Sequence, residues 1–527
     1  MPPLPVIAIA VLWLVAVLML VIHNYVPRYG YTWLVALTGA FIAWIIMLIS
    51  RLSIPQIFQM KIWQFVSIST HTPTLLLDDI SWIFALSITT LLLSVLLTDA
   101  ARATETDWSA WISSLILSAF GLLAVLARNP LTLLLAWVAI DFAELLVMFW
   151  HVQSGLNRER VVLIFATRMA GIILLLWAWL ASRQDAIPLS FENMPQEVTI
   201  FLLFAAWMRL GLIPIQWPQF QESSTRRSLG TLASLVTAAS SFVLIVRVAH
   251  VGVPSGQIPL MLLLAGIVAF YGSFSWYFSA NELEGRPYWI VAFSALSIAA
   301  ASRAQPSASL VWGLSAILTG GVLFLYSARR RLLILLPILG LINMLLIPAT
   351  LSWNGVNLFT PPFSLRLVFF LFAQALLLAG YFRLARIAGE TIIEAERWVW
   401  IVYTVGLGLI AIIQFPIAFI VNINNLAWVT PINLTTLWPG LVILCLAGLI
   451  LYLSARGLRL SFSSQDWIRK VFSLGWIYRA VGYIYQLVGR IITVLTFVLE
   501  GEGGVLWVLL WLALIYVLIS QGNLGGI

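Results

Sequence analysis

Apolar runs of about 20 residues recur from one end of this 527-residue chain to the other. A run of that length crosses the ~30 Å hydrocarbon core of a bilayer as an α-helix. The runs are continuous and do not alternate with period two, as the strands of a membrane β-barrel would. Only 9% of the residues are charged, against about 25% in a soluble domain. The sequence therefore predicts an all-α polytopic membrane protein with about 14–16 transmembrane helices.

The formal charge of +8 resides mainly in the short loops between the predicted spans. Loops after odd-numbered spans carry about 13 Lys and Arg residues, and loops after even-numbered spans about 5. This asymmetry is the positive-inside pattern and not a nucleic-acid-binding surface, so we expect no nucleic-acid partner. It predicts an N-terminus outside the membrane. We expect the membrane to be a bacterial inner (plasma) membrane.

The pattern of apolar and basic residues divides the chain into three segments. Residues 1–460 form the bundle of spans, with a small extramembrane hairpin in the polar interval from Arg51 to Asp78. In residues 461–503, basic residues interrupt aromatic ones before a glycine-rich hinge, which predicts a lateral helix in the membrane interface. Residues 504–527 form a final transmembrane anchor. The alternative for the lateral helix is an ordinary amphipathic tail.

Enzyme chemistry has no visible signature in this sequence. No hydrolase triad, phosphate loop, haem pair or metal-ligand cluster is present, and Cys445 is the single cysteine. We therefore expect no metal, no cofactor and no catalytic residue. The informative residues are charges inside spans, because each is costly in the membrane and faces a bundle interior or a water path.

Four such charges lie on three successive spans, namely Asp141, Glu144, Arg168 and Arg209. The spacing of three places both carboxylates on one helix face, and Arg209 precedes a helix break predicted at Gly211 and Pro214. These residues predict buried ion pairs. Two functions remain open for them: a carboxylate whose proton affinity is set by a nearby cation, or a permanent salt bridge that fixes the helices.

Several segments resemble, in order, the antiporter-like membrane subunits of respiratory complex I, a family that includes the large subunits of Mrp-type antiporters and membrane-bound hydrogenases. Asp-Asp-Ile-Ser at 78–81 resembles the family's Asp-Gly-Leu-Ser. Arg-Leu-Gly-Leu-Ile-Pro-Ile-Gln-Trp-Pro at 209–218 resembles its Lys-Leu-Gly-Leu-x-Pro-Phe-His-x-Trp-Leu-Pro. Further segments keep the family's order and spacing, at 228–247, 280–286, 320–325 and 346–350.

The resemblance implies a bundle with two inverted five-helix repeats and helices broken at the midplane. It also implies other integral membrane subunits as partners, and protons or Na+ as the ions handled. At most the chain is a non-redox subunit of a proton-translocating oxidoreductase. The lateral helix and last span resemble the arm of the family's most distal subunit. The alternatives are a subunit of a cation/proton antiporter or of an ion-coupled uptake transporter, or a membrane scaffold.

The sequence departs from the family at its titratable positions. The family's acid, histidine and lysines fall here on residues that offer no usable proton site, namely Val138, Arg209, Gln216, Ala239, Gly320 and Val356. Arginine stays protonated in proteins, so Arg209 biases a carrier without carrying a proton. We therefore expect proton transfer through this chain to be absent or strongly diminished, with the ion pairs holding helices together.

Overall fold

The structure is a computed structural model. It describes residues 3–26, 31–59, 72–100, 108–152, 155–182, 190–211, 227–327, 333–361, 363–387, 397–423, 432–456 and 502–522, with eight further positions between 482 and 496. The chain divides into two compact units, Met1–Arg459 and Leu460–Ile527.

The first unit is a helical bundle, as predicted. Within the described residues, twelve helical segments are long and apolar enough to cross a membrane. The helices are α1 Leu4–Tyr25, α2 Thr32–Ser50, α3 Asp79–Ala100, α4 Trp108–Val125, α5 Pro130–His151, α6 Gly155–Ser182, α7 Thr199–Arg209, α8 Arg227–Ala249, α9 Ile258–Phe278, α10 Glu282–Ser302, α11 Pro306–Leu314, α12 Gly320–Leu325, α13 Leu335–Met344, α14 Leu367–Arg386, α15 Arg397–Ile412, α16 Gln414–Ile423 and α17 Leu434–Ala455.

A two-stranded sheet closes one end of the bundle. Strands β1 (Gln56–Gln59) and β2 (Thr74–Leu77) pair antiparallel, as the predicted hairpin requires. The N–H of Leu76 donates to the carbonyl of Leu126 over 2.7 Å, just beyond α4. The side chain of Asn129 caps α5 by accepting from the N–H of Thr132 over 2.8 Å. The N–H of Thr74 in β2 also donates to the hydroxyl of Thr132 in α5 over 2.8 Å. Strand β2 therefore contacts both the residue that follows α4 and the first turn of α5.

Helices α3 and α8 lie in the interior of the bundle, since almost all their side chains are buried. Their ends define its two faces. Ser228, at the start of α8, donates to Asp99 near the end of α3 over 2.7 Å. At the opposite face, Arg247 lies 3.6 Å from Asp78. These are called the Asp99 end and the Asp78 end below. His23 stacks on Trp108 at 3.8 Å, which places the end of α1 at the Asp99 end.

Three helices are interrupted inside the bundle. Helix α7 ends at Arg209, and Gly211 follows in the left-handed region with φ +75°. Pro214 lies outside the described residues. Helices α11 and α12 are joined by a π-helical turn at Ser315–Thr319. Helix α13 ends at Met344, and the chain then runs through an irregular stretch and a 3-10 helix, Trp353–Phe359. The bundle therefore contains broken helices, while the break predicted at Gly211 and Pro214 stays a prediction, because the structure does not describe the residues from 212 to 226.

The second unit is described only in part. Helix α18 spans Glu502–Gly522, and the eight described positions between 482 and 496 are also helical. Most of the predicted lateral helix, including the basic and aromatic residues between 465 and 481, lies outside the described residues.

Candidate functional site

In the described part of the chain, three charged side chains lie near the middle of helices long enough to cross a membrane, and a fourth lies at the end of the interrupted helix α7. They are Asp141 and Glu144 of α5, Arg168 of α6 and Arg209 of α7, called the charge quartet below. The other described charges of the bundle lie near helix ends or in loops. The structure therefore brings together the four charged residues that the sequence singles out.

Asp141 and Arg209 form the inner pair of the quartet. Both guanidinium Nη atoms of Arg209 donate to the carboxylate, with Nη2 lying 2.8 Å from Oδ1. The two side chains are 0% and 1% exposed. The guanidinium also lies over the ring of Trp137, 4.3 Å from its centroid, and Trp137 donates to Ser240 of α8. The pair therefore lies between α5, α7 and α8, at the point where α7 ends.

Glu144 and Arg168 form the outer pair. Nη1 of Arg168 donates to Oε2 of Glu144 and also lies 3.7 Å from Oδ1 of Asp141. These side chains are 11% and 13% exposed, so they reach the surface of the bundle. The quartet is therefore an alternating chain of charges that starts in the interior at Arg209 and ends at the surface.

A glycine makes the quartet possible. A Cβ atom on Gly171 of α6 would lie 2.8 Å from the carbonyl oxygen of Ala205 and 2.9 Å from Cγ of Arg209. Any larger residue would push α7, and with it Arg209, away from α6. The role of Gly171 cannot be predicted from the sequence, because a single glycine in an apolar span carries no signal for close helix packing.

The geometry of the quartet favours fixed charges. Two carboxylates face two guanidinium groups, and arginine stays protonated in proteins. Protonating Asp141 would leave both arginines with one remaining carboxylate in a medium that penalises unpaired charge. The arrangement therefore holds four charges in place and offers no further titratable group within its contacts.

Tryptophan rings lie at one of the positions to which the resemblance assigns the family's lysines, Gly320, and next to another, Val356. A Cβ atom on Gly320 would lie 2.5 Å from Nε1 of Trp289, which donates to the carbonyl of Ala316 in the π turn over 2.9 Å. A Cβ atom on Gly355, beside Val356, would lie 2.5 Å from the ring of Trp312. Both rings are fully buried. The resemblance points to Gly320 and Val356, but neither tryptophan could be placed beside them from the sequence.

The Asp78 end carries a second group of charges around a cavity of about 350 Å³. Asp78 accepts from the N–H of Ser81 over 2.8 Å and so caps α3, while Arg51 contacts Asp79. The family-like motif at 78–81 is thus a helix cap. Burial lowers the pKa of His250 below its ordinary value, against the opposing effect of Asp78. No group of three or more potential metal ligands occurs among the described residues.

At the Asp99 end, buried charges also join helices. Asp99 accepts from Trp111 of α4 over 2.8 Å as well as from Ser228. Arg227 of α8 donates to Glu282 of α10 over 2.5 Å and to the carbonyl of Phe324 at the end of α12 over 2.9 Å. These contacts tie α3, α4, α8, α10 and α12 together at this face.

Comparison with known proteins finds similarity in structure alone. No family model and no curated protein matches the chain. A chain of the archaeal membrane-bound sulfane sulfur reductase, a respiratory membrane complex, matches with a TM-score of 0.69 and 16% identity, over 98% of this chain and 99% of that one. A chain of the Mrp complex from Dietzia sp. matches with a TM-score of 0.72 and 12% identity, over 98% and 63%.

A chain of respiratory complex I from Thermus thermophilus matches with a TM-score of 0.60 and 15% identity, over 79% of this chain and 98% of that one. All three belong to multi-subunit membrane complexes, and all are antiporter-like subunits. The fold of this chain is therefore the antiporter-like membrane-subunit fold that the sequence predicts. At these identities the likeness establishes the fold and no more.

Proposed function

We propose that this chain is an antiporter-like membrane-arm subunit of a complex I-type, NADH:quinone oxidoreductase-like, ion-translocating assembly. Its proton path is degenerate and its role is largely structural. Similarity along nearly the full length to a subunit of a respiratory membrane complex supports the first part. Any quinone or nicotinamide chemistry belongs to partner subunits.

The observation that carries the structural role is the packing around Gly320. A proton relay needs side chains that release and regain protons at successive points along the ~30 Å path through the membrane. At Gly320 the space for such a side chain is taken by Trp289, whose N–H is engaged with the π turn. At Val356 and Ala239 the side chains are apolar and buried. Among the described residues, the charges that remain between the two ends of the bundle are those of the charge quartet.

The quartet then serves as a lock between α5, α6 and α7. Removing one partner of a buried pair leaves an uncompensated charge, which is strongly destabilising. This makes the relative positions of the three helices depend on the pairing.

The proposal also includes the topology and the C-terminal segments. The N-terminus lies outside a bacterial inner membrane, which puts the Asp78 end outside. A lateral helix at 461–503 is followed by an anchor at 504–527.

Purification from native membranes tests the assignment. An affinity tag on the chromosomal copy, followed by extraction in a mild detergent, should recover further integral subunits together with redox subunits. Recovery with antiporter subunits but no redox subunit would favour the cation/proton antiporter instead. Recovery of the chain alone, from detergents that keep other respiratory complexes intact, would contradict both assignments.

A further inference from the structure

The cavity at the Asp78 end, called the Asp78 cavity below, is lined by a buried cation with unused donors. Arg247 lines this cavity with only 5% of its side chain exposed. Its Nε and Nη2 are buried and have no hydrogen-bond partner among the described residues. Nη2 lies 3.6 Å from Oδ1 of Asp78, too far for a hydrogen bond, and that oxygen already accepts from the N–H of Ser81. Because a buried donor without a partner is costly, Arg247 favours a ligand that brings an acceptor into the cavity.

Two carboxylates of the Asp78 cavity have acceptor oxygens to spare. Asp79 and Glu192 also line the cavity, and their side chains are 41% and 43% exposed. Arg51 contacts Oδ1 of Asp79, and Arg128 contacts Oε2 of Glu192. The second oxygen of each carboxylate accepts no hydrogen bond from a described residue. These two oxygens favour a ligand that also carries a donor.

The charges around the Asp78 cavity balance one another. Three carboxylates and three guanidinium groups contribute, namely those of Asp78, Asp79, Glu192, Arg51, Arg128 and Arg247. Burial lowers the pKa of His250, which also lines the cavity, so this side chain adds no charge at neutral pH. A ligand with a net charge would leave that charge without a partner, whereas a zwitterion would not.

The position of the cavity indicates where such a zwitterion comes from. Helix α3 begins at Asp79 and helix α8 ends at Ala249, so the Asp78 cavity lies where these helices leave the membrane. Phospholipid headgroups lie at this level. A guanidinium group binds phosphate with particular strength, and a primary ammonium donates three hydrogen bonds to acceptors such as carboxylates. The volume of about 350 Å³ is within the range of sites for small molecules.

We propose that the Asp78 cavity binds a phosphoethanolamine group, with its phosphate on Arg247 and its ammonium on Asp79 and Glu192. A phospholipid headgroup and a soluble phosphoethanolamine ester present this same chemistry. The inference is independent of the proposed function, because it uses residues of this chain alone.

Titration calorimetry with glycerophosphoethanolamine tests the phosphate contact, on the full-length protein purified from its native membranes and stripped of lipid. We expect Arg247→Met to weaken binding about tenfold or more, as the loss of a hydrogen bond between two charged groups does. Arg247→Lys keeps the charge and should weaken binding less. Glu284→Gln, an exposed change at the Asp99 end, is the control and should leave the affinity unchanged.

Glu192→Gln tests the ammonium contact without touching Arg247. This change should weaken the binding of glycerophosphoethanolamine more than that of glycerophosphocholine, whose trimethylated ammonium has no N–H to donate. A general disturbance of the fold would weaken both ligands alike, and that result would remove the proposed role of Glu192.

Mass spectrometry of the lipids that the protein retains through purification distinguishes the two sources. A phosphoethanolamine lipid that is retained by wild type and lost from Arg247→Met indicates a headgroup. Binding of the soluble ester without such a retained lipid indicates a free ligand. The inference is overturned if wild type neither binds the ester nor retains the lipid, if Arg247→Met binds the ester as tightly as wild type, or if glycerol phosphate binds as tightly as glycerophosphoethanolamine.

Discussion

At the scale of single residues, exposure separates two ion pairs that look alike in the sequence. The spacing of Asp141 and Glu144 predicts one helix face, and the positions of Arg168 and Arg209 predict buried pairs. Which acid meets which arginine depends on how α6 and α7 pack, and therefore on Gly171, which no local pattern reveals. Asp141 is fully enclosed, whereas Glu144 is partly exposed. The two acids should therefore respond differently to neutralisation.

We predict that Asp141→Asn lowers the free energy of unfolding by about 3–5 kcal/mol, because it leaves the Arg209 guanidinium buried without its carboxylate. Glu144→Gln should cost less, since its partner Arg168 keeps some exposure and stays close to Asp141. Thermal unfolding of the purified complex in detergent measures both. No loss for Asp141→Asn would show that the inner pair does not hold the helices, and equal losses would show that exposure does not distinguish the two pairs.

Gly320→Ala should destabilise the protein by about 1–3 kcal/mol, the usual range for an overpacked core. The new Cβ would lie 2.5 Å from Nε1 of Trp289, a ring held by its hydrogen bond to Ala316. Gly448→Ala in α17 is the matched control, because nothing lies within 4 Å of its Cβ position. The same unfolding measurement compares the two. A stable Gly320→Ala variant would mean that Trp289 does not fill that space.

His250 gives a prediction on pH. Its pKa is lowered in the folded protein by burial, so the unfolded chain binds the proton more readily. The stability tied to neutral His250 is thus present above the ordinary histidine pKa of about 6.5 and is lost as the pH falls through the folded value. The unfolding temperature of wild type should fall more steeply below pH 6.5 than that of His250→Gln. Parallel curves would exclude a contribution from this histidine.

At the scale of helices and strands, hydropathy predicts the crossings well and their interruptions poorly. The apolar runs at 198–217 and 332–352 are each long enough to predict a crossing, but they contain described helices only at Thr199–Arg209 and Leu335–Met344. After α13 the chain stays apolar but loses helical geometry, with Ala349 at φ +70°. Hydropathy reports burial in an apolar medium, and a broken stretch inside the bundle is as buried as a helix. Hydropathy likewise does not predict that Trp289 and Trp312 pack against Gly320 and Gly355, because it reports burial and not which buried residues are neighbours.

The two ends of α9 offer a test of orientation. Ser255, before α9, belongs to the Asp78 end, and Glu284, after it, belongs to the Asp99 end; both are exposed. We expect a cysteine at position 255 to react with an impermeant thiol reagent added outside intact cells. A cysteine at position 284 should react only after the membrane is opened. The reverse pattern would invert the proposed topology, and labelling of both from one side would contradict the bundle itself.

At the scale of the whole molecule, the sequence predicts the fold through the order of weak motifs more than through any one of them. The fold is similar to that of chains from three membrane complexes, but the sequence identities of 12–16% establish no function. The function is therefore proposed from the residues in the interior of the bundle. That interior contains broken helices, and two buried tryptophan rings lie against Gly320 and Gly355. We propose that the bundle retains the architecture of a transporter subunit without the side chains of a relay.

Removal of everything after Ser464 tests the proposed lateral helix. We expect the bundle to insert into the membrane but the assembly to lose neighbouring subunits, because the helix is proposed to dock on them. Native gel electrophoresis of detergent extracts would show a smaller complex. The full-length chain with Glu502→Gln, a change at the start of α18, is the control. An assembly of unchanged size after the deletion would count against the lateral arm.

The central claim is that this subunit holds the assembly together without carrying protons. The most direct measurement is proton uptake per turnover by the purified complex in vesicles, comparing wild type with Asp141→Asn and Glu144→Gln. We predict that variant complexes which remain intact take up as many protons per turnover as wild type, while the yield of intact complex falls, most for Asp141→Asn. Intact complexes that turn over but have lost proton uptake would contradict the claim and make the carboxylates part of a working path.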